Sequence, residues 1–192
     1  MNRVYTFILC LIRPFFCLFY PYRASGRENR PEGAAIVCAN HTSLIDPIYL
    51  AFAFGSKHQL RFMAKKELSK VPLVGWILGK AGIFYVDRNH NDIDAIRTAM
   101  KALKDGSKIM MFPEGTRVAE DEAVAAKTGS VRLAVKLGVP IVPVYVPGNK
   151  KLFRRLHVVI GEPYFIERET ELNSDELAAE LMSKIAALKA VS

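Results

Sequence analysis

A histidine and an aspartate, His41 and Asp46, stand five residues apart in the stretch Asn40-His41-Thr42-Ser43-Leu44-Ile45-Asp46-Pro47. An apolar run at residues 34–39 precedes them and predicts a buried strand, and the run 48–54 after them predicts a buried helix. His41 therefore falls where a strand ends and a helix begins, at a sheet edge that side chains share with solvent. An imidazole there can accept a proton while Asp46 orients it, which is the His–Asp half of a catalytic relay.

The third member of such a relay is missing from the chain. The sequence contains no Gly-x-Ser-x-Gly elbow and no cysteine in a comparable setting. A His–Asp pair without a protein nucleophile suggests that a hydroxyl of the substrate is the nucleophile. The alternative is purely structural: Thr42 or Ser43 caps the helix and Asp46 sits in its first turn, where the helix dipole favours a negative charge.

Two further predicted strands end in charged residues. The strand 82–86 is followed by Asp87 and Arg88, and the strand 108–112 leads into the turn Pro113-Glu114-Gly115-Thr116-Arg117. Two arginines at the ends of adjacent strands could hold a phosphate bidentately, and Gly115 would let backbone N–H groups approach an anion. The alternative for each arginine is an ordinary surface ion pair.

Composition narrows the class of protein. The chain has 192 residues, 51% of them hydrophobic and 24% charged, so it can bury a substantial core and is not disordered. Its net charge of +8 favours an anionic partner. The three cysteines, Cys10, Cys17 and Cys38, show neither a disulfide framework nor metal spacing, which predicts a reducing compartment and no metal site.

The N-terminus, residues 4–20, is apolar apart from Thr6, Arg13 and Pro14. It is shorter than the ~20 apolar residues of a spanning helix and lacks a signal-peptide cleavage site. We expect residues 1–22 to lie in the membrane interface at the cytoplasmic face of the cell membrane. The alternative is a pair of helices that pack on the core. The arginines that would face anionic lipid are Arg3, Arg13, Arg23, Arg27 and Arg30.

Residues 23–192 are predicted to form one α/β domain, a mixed and mostly parallel sheet with helices on both faces. Residues 23–33 read as a connector, residues 68–78 as short or broken helices, and Pro143 indicates an edge or irregular strand. Ser174 is the predicted cap of the last helix. The remaining predicted strands are 60–64, 82–86, 108–112, 141–146 and 156–160, and the remaining predicted helices are 92–105 and 129–137.

The charged stretches, taken together, resemble the glycerolipid acyltransferase family, specifically the 1-acylglycerol-3-phosphate O-acyltransferases. Four family blocks occur in order over roughly residues 30–165, and four blocks in order are far more specific than one His-x4-Asp. Lys65 resembles the basic position between the first two blocks, although Lys66 could be its counterpart. The blocks are Asn40–Asp46, Gly82–Arg88, Phe112–Arg117 and Val139–Val144.

The resemblance implies a reaction and a role for each residue. His41 would take the proton from the free hydroxyl of lysophosphatidate, Asp46 would orient the imidazole, and a backbone N–H near the start of the helix would stabilise the oxyanion. The hydroxyl would attack the thioester of an acyl-CoA or an acyl-carrier-protein, with no cofactor or metal. The acceptor would be bound by Lys65, Arg88 and Arg117 at its phosphate, by Glu114 at a glycerol hydroxyl, and by the turn residues Gly115 and Thr116.

Rival functions stay open at this point. A sister acyltransferase that acts on glycerol-3-phosphate or on a lysophospholipid would share every one of these residues. A non-catalytic protein that binds anionic lipid would explain the charge but not the clustering of His, Asp, Glu and Arg at strand ends. Nucleic acid is disfavoured as a partner, because the aromatic residues lie in the N-terminus and the strands rather than along a basic groove.

Overall fold

A single sheet forms the centre of the computed structural model, which describes residues 2–72, 75–76, 79, 82–86, 93–119 and 124–192. The strands are β1 (Tyr22–Ser25), β2 (Ala35–Ala39), β3 (Leu60–Lys65), β4 (Phe84–Val86), β5 (Lys108–Met111), β6 (Ile141–Tyr145) and β7 (Leu156–Ile160). They lie side by side in the order β1-β7-β6-β2-β5-β3-β4. The strand β2, which leads to His41, is therefore at the middle of the sheet.

All neighbouring strands in this order are parallel except β6 and β7, which are antiparallel. The strands β2 to β6 consequently run in one direction, and their carboxyl ends meet at one edge of the sheet. That edge is where open α/β sheets bind ligands. It collects the chain segments that follow β2, β3, β4, β5 and β6.

Helices cover both faces of the sheet. They are α1 (Arg3–Phe19), α2 (Asp46–Phe54), α3 (Ile93–Lys104), α4 (Gly129–Leu137) and α5 (Ser174–Ala187), with short 3-10 helices at Arg27–Asn29, Lys66–Lys70 and Leu188–Val191. Successive residues of β2 point to opposite faces. Val37 packs in the core under α1 and α2, whereas Ile36 packs in the core under α3, α4 and α5. The predicted α/β class with a mostly parallel mixed sheet is confirmed.

The N-terminal helix α1 packs on the same core as the sheet. Its Tyr5 is buried, and the ring of Phe16 meets the rings of Tyr49 and Phe52 on α2 at 5.0 and 5.5 Å. The helix continues through Pro14, which lies on its exposed side, where solvent can reach the carbonyl that loses its N–H partner. Within the described residues no helix is long and apolar enough to cross a bilayer.

The predicted connector 23–33 is partly wrong, because its first residues belong to β1. This strand pairs in parallel with β7, from Tyr22 opposite Leu156 to Ser25 opposite Val159. Its four residues alternate between half-buried and exposed, but so short an alternation is a weak strand signal by itself, and pairing with a distant strand supplies the backbone hydrogen bonds. The predicted division of the chain between residues 22 and 23 falls inside β1.

Pro143 does not mark an edge strand, so that alternative of the prediction is wrong. Strand β6 lies inside the sheet, between β2 and β7. The Pro143 carbonyl accepts a hydrogen bond from Gly161 N–H at 2.8 Å, which shows that the missing Pro143 N–H also faces the β7 side. Regular pairing of β6 with β7 begins only at Val144, opposite Ile160. Position 143 accommodates a proline because the regular β6–β7 ladder, which would need an N–H donor, has not yet begun there.

The last helix begins one residue earlier than predicted. Asn173, not Ser174, is its N-cap, and the Asn173 side chain accepts hydrogen bonds from the N–H groups of Asp175 and Glu176. The Glu176 side chain in turn accepts from Asn173 N–H at 2.8 Å, which completes a capping box. Serine and asparagine are both common N-caps, and the hydrogen bonds of the Asn173 side chain decide between the two positions.

Candidate active site

The His41–Asp46 pair forms where β2 ends and α2 begins. His41 Nδ1 and Asp46 Oδ2 are 3.0 Å apart, and the Asp46 side chain has no exposed surface while that of His41 is 12% exposed. A carboxylate at Nδ1 fixes the proton on that nitrogen. Nε2 is then the ring nitrogen that can accept a proton from a bound molecule.

Asp46 also organises the turn that carries His41. Its Oδ2 accepts hydrogen bonds from Thr42 N–H at 2.8 Å and Ser43 N–H at 2.7 Å. The structural alternative is right about Asp46, which lies in the first turn of α2 and accepts N–H groups, but it is wrong about the cap, because the N-cap is Ile45 and not Thr42 or Ser43. The same contacts fix the carboxylate that orients His41, so the two interpretations are not exclusive.

The turn after β5 holds His41 from the other side. Glu114 Oε2 accepts from His41 N–H at 2.8 Å, and Val118 N–H donates to the His41 carbonyl at 2.9 Å. The Phe112 ring stacks on the imidazole, with centroids 3.9 Å apart and planes 15° apart. The first and third blocks of the sequence thus form one rigid unit around the imidazole.

Glu114 lies at a half-buried position beside two other ionisable groups. Burial raises the pKa of its carboxyl, the hydrogen bond from His41 N–H and the charge of His41 oppose that rise, and the charge of Asp46 adds to it. One carboxylate oxygen is occupied by the His41 backbone. The other oxygen is the one that could reach a substrate hydroxyl, which stays a prediction.

Gly115 adopts a left-handed backbone conformation, with φ at +71°, and its N–H donates to the Phe112 carbonyl at 3.0 Å. A side chain at this position would be strained and would meet the side chain of Lys127. The turn therefore needs glycine to reverse direction after Glu114. The next two residues, Thr116 and Arg117, are exposed at the carboxyl edge of the sheet.

Two predicted phosphate-binding residues, Lys65 and Arg88, lie at or beyond the limits of what the structure describes. For Lys65 the structure describes the backbone, which ends β3 in register with Val86 of β4. Arg88 lies outside the described residues. Lys65 is the last residue of β3, and Arg88 comes two residues after the end of β4 in the sequence; the carboxyl ends of both strands share the edge of His41. Their predicted contacts with an acceptor phosphate stay predictions.

Lys150 is a site residue that sequence reasoning missed. Its Nζ lies 2.7 Å from Asp46 Oδ1, and its side chain is 4% exposed. It also donates to Thr42 Oγ1 at 2.6 Å and to the Pro147 carbonyl at 2.7 Å. The contact with Asp46 is an ion pair rather than a well-directed hydrogen bond, because Oδ1 has no donor at a suitable angle in the described part of the chain. No local pattern marks this lysine, which stands beside a second one.

Burial by itself would raise the pKa of Asp46. The hydrogen bond from His41, the charge of Lys150 and the N–H of Ser43 outweigh burial, so the pKa of this carboxyl lies below its usual value. Asp46 is therefore a carboxylate at neutral pH, although it is fully enclosed. A buried carboxylate of this kind requires a compensating cation, and Lys150 supplies it.

Asn40 is a second missed residue, and it fixes the end of β2 against the end of β6. Its Nδ2 donates to the Val146 carbonyl and its Oδ1 accepts from Val146 N–H, both at 2.8 Å. In the sequence, the only indication of this role of Asn40 was that it directly precedes His41. These two hydrogen bonds of the Asn40 side-chain amide hold the His41 turn and the chain leading to Lys150 at a fixed separation.

The predicted oxyanion donor near the start of the helix is constrained by these contacts. The N–H groups of Thr42 and Ser43 are taken by Asp46, and the Asp46 N–H donates to the Ser43 carbonyl at 3.2 Å. These three N–H groups are therefore not free to bind a developing oxyanion, and the predicted donor stays a prediction. Across the described residues, no group of three His, Cys, Asp or Glu side chains could hold a metal ion.

Comparison with known proteins places this site in a family. The acyltransferase family pattern matches residues 22–147. A 1-acyl-sn-glycerol-3-phosphate acyltransferase of Bacillus subtilis is 33% identical over 166 residues, covering 83% of this chain and 82% of that protein. A chloroplastic relative from Arabidopsis thaliana is 29% identical over 182 residues, and the chain spans about half of its length, 49%.

A solved structure extends the likeness to the fold. The crystal structure of the 1-acyl-sn-glycerophosphate (LPA) acyltransferase from Thermotoga maritima aligns with 97% of this chain and 80% of its own chain. The TM-score is 0.74 at 30% sequence identity. The matched region includes the His41–Asp46 pair and the turn that holds it. The chain belongs to the acyltransferase family.

Proposed function

We propose that the chain transfers an acyl group from a thioester donor to the free hydroxyl of 1-acylglycerol-3-phosphate, giving phosphatidate for phospholipid synthesis. The observation that carries the proposal is the His41–Asp46 contact of 3.0 Å at the shared carboxyl edge of the parallel strands. The activity after which the Bacillus, Arabidopsis and Thermotoga relatives are named supports this acceptor. The donor is an acyl-CoA or an acyl-carrier-protein.

The residues support a direct transfer. His41 Nε2 takes the proton of the acceptor hydroxyl as its oxygen attacks the thioester carbonyl, and Asp46 stabilises the imidazolium that forms. When the tetrahedral intermediate collapses, the carbon–sulfur bond breaks and the proton passes from His41 to the leaving thiolate. The protein forms no covalent intermediate in this scheme, which agrees with the lack of a serine or cysteine nucleophile motif in the sequence.

The acceptor's phosphate is assigned to Arg117, with Lys65 and Arg88 as its further predicted ligands. Arg117 is exposed and lies three residues after Glu114, whose carboxylate holds the His41 backbone. It can therefore bind a ligand without first breaking a buried contact. A guanidinium can hold a phosphate through two parallel hydrogen bonds. A sister acceptor with the same phosphate, such as glycerol-3-phosphate, remains the second candidate.

Membrane attachment at the cytoplasmic face is part of the proposal. On the side of α1 that does not pack on the core, four apolar side chains are exposed along the helix, namely Phe7, Leu11, Phe15 and Leu18. Beside them lie the exposed Leu152 and Phe153, and the Phe153 ring is 5.8 Å from that of Phe19. An apolar strip with flanking arginines suits an interface with anionic lipid, where each basic residue adds about 1 kcal/mol of attraction.

The test is an assay of purified protein with oleoyl-CoA or oleoyl-carrier-protein and a panel of acceptors, read by mass spectrometry. We expect phosphatidate from lysophosphatidate and little product from glycerol-3-phosphate or lysophosphatidylcholine. His41→Ala should lower turnover by about 10²–10⁴-fold while the protein stays folded, because the general base is lost. His157→Ala is the matched control, since His157 lies on β7 and contacts Arg23 and Ser25 instead of the site.

Two results would reject this proposal. Retention of more than roughly a tenth of wild-type turnover by His41→Ala would remove the base from the mechanism. Preferred acylation of glycerol-3-phosphate or lysophosphatidylcholine would assign the chain to the sister reaction.

A further inference from the structure

The two oxygens of the Asp46 carboxylate contact two different basic side chains, and only one of these side chains belongs to the predicted relay. Oδ2 meets His41 and the turn N–H groups, while Oδ1 meets Lys150 at 2.7 Å. Lys150 comes from the loop after β6, 104 residues further along the chain. Its side chain is buried, so it cannot contact a substrate phosphate in solvent as Arg117 can.

We propose that Lys150 is a positioning residue of the His41–Asp46 pair: it anchors the carboxylate on the side opposite the imidazole and offsets the charge of that carboxylate. The inference rests on the proposed function, because it assigns Lys150 a part in the same proton transfer. It concerns a residue outside the four sequence blocks.

Lys150 connects three segments of the chain. Its ammonium group reaches Asp46 at the start of α2, Thr42 in the turn that carries His41, and the Pro147 carbonyl of its own loop. Two of the three N–H donors of the ammonium group are used by Thr42 and Pro147, and its charge pairs with Asp46 Oδ1. The carboxylate is thereby held from the side opposite the imidazole, and it cannot rotate away from Nδ1 without breaking the ion pair.

Lys150 also offsets the negative charge that His41 faces at Asp46. An enclosed, unpaired carboxylate would strongly favour imidazolium, and an imidazolium cannot accept the hydroxyl proton. Lys150 makes its pair with Asp46 neutral overall and so removes much of that bias. The other ionisable groups that face the pair in the described residues are Glu114, after β5, and Tyr49, on α2, whose pKa burial raises to about 12 and which stays neutral.

The experiment compares Lys150→Met, which keeps the length and removes the charge, with Lys150→Arg, which keeps the charge. Lys151→Met is the matched control, because Lys151 is the exposed neighbour. For Lys150→Met we expect kcat to fall about tenfold or more, with both KM values within about threefold of wild type. We also expect the acidic limb of the pH–rate profile to move to higher pH by about one unit. Lys150→Arg should recover part of kcat and restore the profile.

Three outcomes would overturn the inference. A raised acceptor KM with unchanged kcat would make Lys150 a phosphate ligand. An unmoved pH profile in an active Lys150→Met protein would leave it a purely structural residue. Lys150→Met kinetics equal to those of Lys151→Met would leave it without a part in the site.

Thermal unfolding keeps the inference testable where Lys150→Met folds poorly. Asp46→Asn removes the charge that Lys150 offsets, so the double variant Asp46→Asn/Lys150→Met should have a higher Tm than Lys150→Met alone. Tm losses that simply add would contradict the ion pair. These measurements need no substrate, so they can fail while acyl transfer by the wild-type protein and its loss in His41→Ala still support the proposed function.

Discussion

At the scale of the residue, His41 is held by groups that never touch its reactive nitrogen. Glu114 and Val118 fix its backbone on both sides, Phe112 fixes the ring plane, and Asp46 fixes the tautomer. A base that is positioned before substrate arrives reaches a productive geometry without reorganisation. Small displacements of these partners should therefore lower turnover more than they lower binding.

Glu114 allows a direct test of this positioning. Glu114→Gln retains an oxygen that can accept from His41 N–H, whereas Glu114→Ala loses it, together with a charge-assisted hydrogen bond of about 1.5–3 kcal/mol. We expect kcat near wild type for the glutamine variant and about tenfold to hundredfold lower for the alanine variant. If the glutamine variant were as slow as the alanine variant, the charge of Glu114 would act on the substrate, as the family resemblance implies.

Arg117 should act on the acceptor alone. Arg117→Ala removes a charge-assisted contact, so we expect the acceptor KM to rise about tenfold to hundredfold while the donor KM changes little. Lysine should restore binding poorly, because a point charge does not reproduce the guanidinium fork. Arg132→Ala, an exposed arginine on α4, is the control. Equal changes in both KM values would place Arg117 elsewhere.

At the scale of the element, each helix and strand is stabilised by contacts of two kinds, local ones along the chain and distant ones across the sheet. Helix α5 shows the local kind, because its capping box lies within four residues. Strand β1 shows the distant kind, because its partner β7 begins more than 130 residues later. Only the first kind can be read from neighbouring residues.

The capping box of α5 gives a stability prediction with an adjacent control. Asn173→Ala should lower the free energy of unfolding by about 0.5–2 kcal/mol, because two N–H groups lose their acceptor. At this chain length that corresponds to a Tm loss of roughly 2–4 °C per kcal/mol. Ser174→Ala should change stability by no more than about 0.5 kcal/mol. A larger loss for Ser174→Ala, measured by calorimetry, would make Ser174 the true cap.

At the scale of the whole molecule, the carboxyl edge of the sheet and the apolar strip of α1 are linked by the loop after β6. Lys150 points inward to Asp46, while Leu152 and Phe153 are exposed beside the end of α1. Phe153 N–H donates to the Phe19 carbonyl at 2.6 Å, which fixes the loop to the helix. The proposed membrane surface and the active site are therefore only a few residues apart.

The membrane surface can be tested with a native thiol. Cys10 on α1 is exposed, whereas Cys38 is buried and burial raises the pKa of its thiol to about 12, so a charged maleimide should label Cys10 far faster than Cys38. Anionic vesicles should slow Cys10 labelling more than zwitterionic vesicles do. Labelling that neither kind of vesicle slows would contradict an interfacial α1.

Point substitutions then map the same surface by vesicle flotation. Phe15→Ser should weaken flotation about tenfold or more, because a buried Phe side chain contributes about 1.5–3 kcal/mol. Ile96→Ser is the control, an exposed apolar residue on α3 at the opposite face of the sheet. Single substitutions are preferable to deletion of residues 1–22, since Tyr5 and Phe16 of α1 pack on the core and a deletion would expose it. Equal flotation of both variants would remove Phe15 from the contact.

The sequence by itself determined the strands and helices whose burial pattern is local. The predicted helix 129–137 and strand 156–160 agree with the structure at both ends, and the predicted strand 60–64 differs by one residue. Each has an apolar pattern that its own residues display. The sequence also brought His41 and Asp46 together, because five residues across a strand–helix junction leave little freedom in their separation.

Tertiary structure alone decided the features that depend on the path of the chain. The order of strands, the addition of β1 beside β7 and the interior place of Pro143 follow from pairings between distant segments. The same holds for Lys150, which is one of 27 lysines and arginines and has no distinguishing neighbour. A buried charge selects its partner by proximity in space, and proximity between residues 46 and 150 exists only after the sheet has assembled.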